Sequence, residues 1–267
     1  MTAKPRKTPI TPSFLPSASD GETRHISVVI PAHNEQGNIG PLIDEILAAL
    51  EGRDMEVIVV DDGSTDATAQ EVTSRASQGH VRLIQHATAC GQSAAIRTGV
   101  HAAYGHIMVT LDGDGQNNPA DIPRLVVDLE TAPRGRWVGM VAGQRVGRQD
   151  QWIKTWSSAF ANKLRAALLQ DGCRDTGCGL KAFRREAYLA LPFFDHQHRF
   201  LPALMLREGF EVAYRNVSHR PRQHGRSKYG TLDRLLVSLF DMAGMVWLLT
   251  RRRGTANITE KDLGKSL

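Results

Sequence analysis

The chain has few cysteines and few aromatic residues, and both shortages exclude classes of protein. Its three cysteines, Cys90, Cys173 and Cys178, form an odd count without a CxxC spacing. That pattern argues against a disulfide framework and a structural zinc site, and it favours a reducing cytosol. Aromatic residues make up 6% of the chain and do not alternate with the basic runs, as they would on a nucleic-acid stacking platform. We therefore expect no nucleic-acid partner.

Common phosphate-binding motifs and long apolar runs are missing as well. No GxGxxG follows the first predicted strand and no GxxxxGK(S/T) occurs, which disfavours dehydrogenases and P-loop NTPases. The most apolar stretch, residues 235–249, would span about 22 Å as a helix, against about 30 Å for the hydrocarbon core of a bilayer. We expect no single helix to cross a membrane. Residues 1–24 have spaced prolines instead of an apolar core, which predicts a disordered arm and not a signal peptide.

What the chain does carry is an excess of positive charge. The formal net charge is +5 at pH 7 and the isoelectric point is near 9.3. The excess is concentrated at Arg220, Arg222, Arg226, Lys228 and residues 251–253. Such clusters favour an anionic partner, either phosphate groups or an anionic membrane surface.

Strand-like and helix-like segments alternate in the first half of the chain. Short β-rich runs are predicted at residues 26–30, 57–60, 81–84 and 107–111, and helices at residues 37–50, 66–77 and 93–104. This alternation predicts one α/β domain built from βαβ units around a mostly parallel sheet. Ligands of such sheets bind beyond the carboxyl ends of the strands.

Polar clusters follow three of the predicted strands, at residues 31–35, 61–64 and 112–114. Because the ends of parallel strands meet at one edge of the sheet, the clusters predict one cleft. Asn34, Ser64 and Asp66 are also ordinary turn or N-cap residues, and for Asp66 we prefer that interpretation. Asp61 and Asp62 repel each other unless a hydroxyl, a base N–H or a cation accepts them, which favours a binding role.

The cluster after the fourth strand predicts a metal site. Asp112, Asp114 and Gln116 alternate along the chain, so their side chains can converge on one side. Their oxygens suit a hard divalent cation that a diphosphate would share. A solvated Asp/Gly turn is the alternative for this motif taken alone.

Six segments in order make the chain resemble the family 2 glycosyltransferases of the GT-A fold, and within them the polyprenyl-phosphate, dolichol-phosphate mannose synthase-like enzymes. The segments are VVIPAHNE (28–35), VVDDGSTD (59–66), GQSAA (91–95), LDGDGQ (111–116), DTGCGLK (175–181) and GRSKY (225–229). The resemblance implies a single Rossmann-like GT-A domain with a C-terminal amphipathic helix. It also implies a nucleotide pocket at Pro31, Asn34, Glu35, Asp61, Asp62, Gly91, Gln92, Asp112, Gly113 and Asp114.

The resemblance further implies roles in catalysis. Asp112, Asp114 and Gln116 would hold Mg²⁺ or Mn²⁺ on the diphosphate of the donor, where the metal acts as a Lewis acid. Lys228, in a mobile loop with Gly225 and Ser227, would add positive charge, unless it is simply a solvated lysine. Together with Asp114 and Lys228, Arg145 completes the predicted catalytic set.

An acceptor-phosphate site is implied at Arg145, Arg148, Lys154, His198 and Arg199. The match is imperfect, because Gln144 replaces the expected serine of a Gly-Ser-Arg turn and Thr155 replaces a basic residue. Arg148 is equally well explained as a surface charge. An anionic phosphate acceptor hardly needs a general base, so cations would be the main requirement.

The expected function is metal-dependent, inverting transfer of a hexose from a UDP- or GDP-sugar to a polyprenyl phosphate at the cytoplasmic face of the membrane. One alternative is a family 2 enzyme with another glycan, lipid or protein acceptor. A second is a non-catalytic protein that binds nucleotide sugars. The donor and the oligomeric state are not legible from the sequence.

Four regions are expected along the chain: the arm at residues 1–24, the glycosyltransferase domain at 25–230, an amphipathic helix at 231–253 and a polar tail at 254–267. Thr231, Arg234, Ser238 and Asp241 form a narrow polar stripe on that helix. The pattern favours a helix lying on the membrane surface, with its basic end near anionic headgroups. The alternative is packing against the domain's own core or against a partner, and a small membrane-spanning partner would satisfy both interpretations.

Overall fold

A computed structural model describes residues 26–76, 79–132, 137–145, 165, 167–221 and 231–251, and the side chains of 231–239 lie outside that description. Several predicted residues also fall outside the described part of the chain. These are the arm, Arg148, Lys154, Gly225, Ser227, Lys228 and everything after residue 251.

The described part of the chain contains seven strands and seven complete α-helices, and residues 165 and 167–169 are helical as well. The strands are β1 (Ile26–Ala32), β2 (Met55–Asp62), β3 (Val81–His86), β4 (Ile107–Thr110), β5 (Val138–Arg145), β6 (Lys181–Arg184) and β7 (Glu211–Val217). The helices are α1 (Ile39–Ala49), α2 (Thr68–Ala76), α3 (Gln92–Ala102), α4 (Ile122–Glu130), α5 (Arg185–Leu189), α6 (Leu201–Glu208) and α7 (Thr231–Thr250). Short 3-10 turns occupy Pro119–Asp121 and Gln197–Arg199.

The strands form one sheet in the order β3-β2-β1-β4-β6-β5-β7. Neighbours from β3 to β4 are parallel, as are β5 and β7, whereas β6 is antiparallel to both β4 and β5. The predicted α/β class with a mostly parallel sheet is confirmed. The antiparallel insertion of β6 was not predicted.

Apolar side chains are buried on both faces of this sheet. Ile26, Val28 and Ile30 of β1 pack with α1 and α4 on one side, while Val29 packs with α3 and α6 on the other. Burial on both faces explains why the central strands are nearly continuous apolar runs and do not alternate with polar residues.

The arrangement gathers several chain segments at one edge of the sheet. The carboxyl ends of β1, β2 and β4 lie there, and the first residue of the antiparallel β6, Lys181, pairs with Thr110 at the end of β4. Residues 175–181 therefore approach the same edge as the predicted metal-binding motif that follows β4.

The C-terminal helix packs on the domain through its described half. Met245 of α7 is 1% exposed and joins the cluster that contains α3 and α6. Asp241, expected on a polar stripe, faces the domain, where its carboxylate lies 3.0 Å from His196 Nδ1. Among the described helices, none combines the length and apolar character that crossing a membrane requires.

Candidate active site

The predicted metal ligands lie on a loop that follows β4 and is held by its own hydrogen bonds. We call residues 112–118 the metal loop. Asp114 Oδ1 accepts the Gln116 N–H at 3.1 Å, and Asn117 Oδ1 accepts the Asp112 N–H at 3.4 Å. Asp112, Asp114 and Gln116 are each partly buried, and Asp112 and Gln116 line one cavity.

Asp112 has a strongly shifted pKa. Burial, followed by the charge of Asp114, raises the pKa of its carboxyl to about 6, while Lys181 and a 2.7 Å hydrogen bond from Gln92 Nε2 act in the opposite direction. A divalent cation would stabilise the ionised form of both carboxylates. The oxygen donors and the excess negative charge therefore fit Mg²⁺ or Mn²⁺.

Gly179 allows the chain to approach Asp112 closely. A Cβ at this position would lie 2.5 Å from Asp112 Cγ, well inside van der Waals contact. Glycine at 179 therefore lets residues 176–181 pack directly beside Asp112, and both segments line the same cavity.

Residues 218–220, just after β7, brace the metal loop from outside the cleft. Arg220 donates its N–H to Gln116 O at 2.9 Å and its Nη2 to Asn117 O at 3.1 Å. Its guanidinium also holds both carboxylate oxygens of Glu45 on α1, at 2.8 and 3.1 Å. The predicted 225–228 loop thus follows closely on a segment bonded to Gln116.

The predicted nucleotide residues Asn34 and Asp61 connect the loops after β1 and β2. Asn34 receives the Thr65 N–H on Oδ1 at 2.7 Å and donates its own N–H to Ser64 Oγ at 2.9 Å. Asp61 accepts the Ser64 N–H at 3.0 Å and Gln85 Nε2 at 3.1 Å. These contacts order the pocket, and direct contact with a nucleotide stays a prediction for both residues, as for Glu35 and Gly113.

Asp62 fixes the turn that leads into α3. Its carboxylate accepts the N–H groups of Cys90 and Gly91, each at 2.8 Å, and lies 2.7 Å from His86 Nδ1. Burial alone would raise the pKa of Asp62, but these bonds together lower it. Potential metal-ligating atoms of Asp62, His86 and Cys90 lie within 4.8 Å of one another, yet the Asp62 oxygens and both ring nitrogens of His86 already take part in hydrogen bonds.

This turn places Gln92, the first residue of α3, against the metal loop. Gln92 Nε2 donates to Asp112 Oδ1, and both residues line one cavity together with Pro31 and Gln116. The sequence-predicted residues from the first, third and fourth motifs are thereby brought together.

Basic side chains line the same cavity. Lys181, His198 and Arg199 line it, together with residues 176–179, and we call these three side chains the basic wall. Burial, then the charges of Lys181, Arg199 and His196, lower the pKa of His198 to about 3, so this imidazole is neutral at physiological pH. Its Nδ1 lies 2.7 Å from Ser93 Oγ on α3, which also accepts the His198 N–H at 3.2 Å.

Arg145, the predicted acceptor residue on β5, is paired with Asp175. Nε and Nη2 of the guanidinium donate to the two Asp175 oxygens at 2.6 and 2.7 Å, and this bond raises the pKa of Arg145. A Cβ at Gly177 would lie 3.0 Å from Nη2, so glycine permits the close packing there.

Lys181 and Asp175 belong to the DTGCGLK segment, but the sequence analysis predicts no function for either residue. Lys181 is 5% exposed, donates from Nζ to Cys178 O, and acts electrostatically on both Asp112 and His198. The sequence does contain one indication of a role for Lys181: it is a lysine at the start of a short apolar strand, where a buried charge costs free energy unless it has a partner.

Comparison with known protein families identifies the family of this chain. Residues 27–191 match the family described as "Glycosyl transferase family 2", and the chain belongs to that family. The resemblance and the GT-A fold expected from it are confirmed.

The chain is also similar to individual enzymes. The chain is 32% identical over 237 residues to the dodecaprenyl-phosphate galacturonate synthase of Rhizobium johnstonii, covering 85% of this chain and 68% of the relative. It is 34% identical over 233 residues to the undecaprenyl-phosphate 4-deoxy-4-formamido-L-arabinose transferase of Edwardsiella ictaluri, covering 84% and 69%.

A solved structure of glucosyl-3-phosphoglycerate synthase from Mycobacterium tuberculosis, with Mn²⁺, UDP-glucose and glycerol 3-phosphate, is also similar. Its TM-score is 0.62 at 26% identity, and the match covers 85% of this chain and 80% of that one.

Proposed function

We propose that this protein transfers a hexose from a nucleotide sugar to a polyprenyl phosphate at the cytoplasmic face of the membrane. The observation that carries the proposal is one cavity that is lined both by the carboxylate metal loop and by the basic wall. A donor diphosphate needs the first and an acceptor phosphate needs the second. The names of the similar transferases support the same acceptor class.

The donor half of the reaction uses the metal loop. Asp112, Asp114 and Gln116 would hold Mg²⁺ or Mn²⁺, which when bound supplies Lewis acidity to the departing diphosphate. Gln92 orients the Asp112 carboxylate through its 2.7 Å hydrogen bond. The loops at Asn34 and Asp61 would bind the base and ribose, and either a UDP- or a GDP-sugar is compatible with them.

The acceptor half uses charge in place of a general base. A phosphate monoester is already anionic at neutral pH, so its oxygen can attack the anomeric carbon directly and invert it. Arg199 and Lys181 would orient this anion, and neutral His198 would offer a hydrogen bond. Arg145, Arg148, Lys154 and the loop with Lys228 are proposed to add further positive charge.

We propose that α7 lies on the membrane surface with one exposed face. Phe240 is 77% and Trp247 is 59% exposed on this face, with Ala243 and Gly244 between them. Arg251 follows, its guanidinium carbon 5.7 Å from the Trp247 ring centroid. Aromatic residues next to a basic one suit the headgroup region of an anionic bilayer.

The test is sugar transfer from a panel of labelled UDP- and GDP-sugars to a short polyprenyl phosphate in detergent. Label in the lipid phase with Mg²⁺ or Mn²⁺, lost with a chelator and in the Asp114→Asn variant, is the expected result. Transfer only to soluble acceptors would reject the polyprenyl phosphate. Full activity of Asp114→Asn would reject the metal ligand assignment.

A further inference from the structure

A carboxylate on α7 reaches the basic wall of the cavity. Asp241 Oδ2 lies 3.0 Å from His196 Nδ1 and 3.7 Å from Arg199 Nη1. The Asp241 side chain is 17% exposed, whereas those of His196 and Arg199 are 44% and 41% exposed. A mostly buried anion therefore faces two basic groups that remain partly open to solvent.

Asp241 lies among apolar residues of α7, so it is not simply a solvent-exposed charge that keeps the protein soluble. It stands between exposed Phe240 and partly buried Met242, and Met245 one turn later is buried in the core. A carboxylate in this position costs free energy unless it is paired. Both groups that contact its carboxylate belong to one turn, residues 196–199.

That turn is held from several directions. His196 has a left-handed backbone with φ of +61° at its start, and Gln197 bonds Tyr188 Oη at 3.1 Å and Pro192 O at 2.8 Å. His198 is held by Ser93 of α3. Asp241 adds a contact from α7 to the last residue of the turn, Arg199.

Resting on the proposed function, we propose that Asp241 is a positioning residue that holds the Arg199 guanidinium at the edge of the cavity for the acceptor phosphate. The Arg199 side chain is 41% exposed and lines the cavity, so a phosphate in the cavity can approach its guanidinium. Because Phe240 lies on the outward face of α7, the same turn of helix joins the membrane-facing surface to the acceptor side of the cavity.

The test measures steady-state kinetics of Asp241→Asn beside a matched control, Asp44→Asn. Asp44 pairs with Arg75 at 2.8 Å on the exposed surface of α1 and α2, so its variant also loses one ion pair. We expect Asp241→Asn to raise KM for polyprenyl phosphate about tenfold, with KM for the nucleotide sugar unchanged. Asp44→Asn should change neither KM.

Arg199→Gln provides the second variant and the check on a purely structural role. It should raise the acceptor KM similarly, and adding Asp241→Asn to it should cause no further increase. Equal acceptor KM values for Asp241→Asn and the control, additive effects in the double variant, or an unchanged acceptor KM in Arg199→Gln would each overturn the proposal. If Asp241→Asn does not fold, Asp241→Glu takes its place with the same expected and opposing outcomes, because the longer side chain moves the carboxylate relative to Arg199. Absence of transfer by the wild-type protein would instead reject the proposed function.

Discussion

At the scale of single residues, the site depends on the absence of a side chain at Gly179 as well as on the carboxylate of Asp112. A side chain there would occupy the space of the Asp112 carboxylate. The metal loop and residues 176–181 can share one cavity only because position 179 has no Cβ.

Replacement of Gly179 by alanine should therefore weaken metal binding. The added Cβ, 2.5 Å from Asp112 Cγ, must displace a predicted ligand, and we expect Mn²⁺ affinity in the presence of UDP to fall about tenfold or more. Isothermal titration calorimetry measures the Mn²⁺ affinity of the wild type and of the variant. The matched control is Gly244→Ala on α7, where a Cβ meets nothing within 4 Å. Equal affinities in the two variants would contradict the close approach.

At the scale of elements, a buried carboxylate connects β1, β2 and the segment before β4. Glu56 of β2 accepts the Ser27 hydroxyl at 2.6 Å and the Tyr104 N–H at 2.7 Å, and Arg82 of β3 at 2.5 Å. Burial alone would raise the pKa of Glu56, but these three partners together lower it.

Glu56→Gln should lower the free energy of unfolding at pH 7 by about 2 kcal/mol, because a charged acceptor is lost among donors placed for it. A carboxyl whose folded pKa lies below its unfolded value stabilises the fold above the unfolded pKa and loses that contribution as pH falls through the folded pKa. Urea unfolding at several pH values should show the difference between wild type and variant shrinking below about pH 4.3. A difference that grows with acidity would contradict the lowered pKa.

One face of helix α7 packs against the core of the domain, and the other is exposed. Met245 contacts the core, while Phe240 and Trp247 face outward. Replacing both exposed aromatics with serine should reduce sedimentation with anionic vesicles about tenfold or more, and leave thermal stability nearly unchanged. Val127→Ser on α4, which removes another exposed apolar side chain, is the control. An unchanged vesicle affinity of the double variant would place the membrane contact elsewhere.

At the scale of the whole molecule, ligand binding should stabilise the fold only when metal and nucleotide are both present. Binding to the folded state adds about 2.7 kcal/mol at a ligand concentration 100 times Kd. We expect UDP with Mn²⁺ to raise the thermal midpoint, and EDTA to abolish the shift. An equal shift from UDP with EDTA would indicate that nucleotide binding does not need the metal loop.

The sequence by itself determined the local parts of this molecule. Apolar runs with β-branched residues predicted β1 to β4, and intervening periodic segments predicted α1 to α3, because strand and helix periods are properties of adjacent residues. The polar motifs after three strands predicted one cleft, since parallel strands align their carboxyl ends. Pro31 and Asp112, from the first and third of these clusters, line a common cavity, whereas residues 61–64 are not among the residues that line it.

Only the tertiary structure decided which distant groups meet. The antiparallel entry of β6 brings Lys181 beside the end of β4, and Asp175 reaches Arg145 from 30 residues away. Asp241 on α7 meets His196 and Arg199 by the same kind of long-range packing. No local periodicity encodes such contacts, because they arise from the burial of whole elements against one another and from the need of each buried charge for a partner.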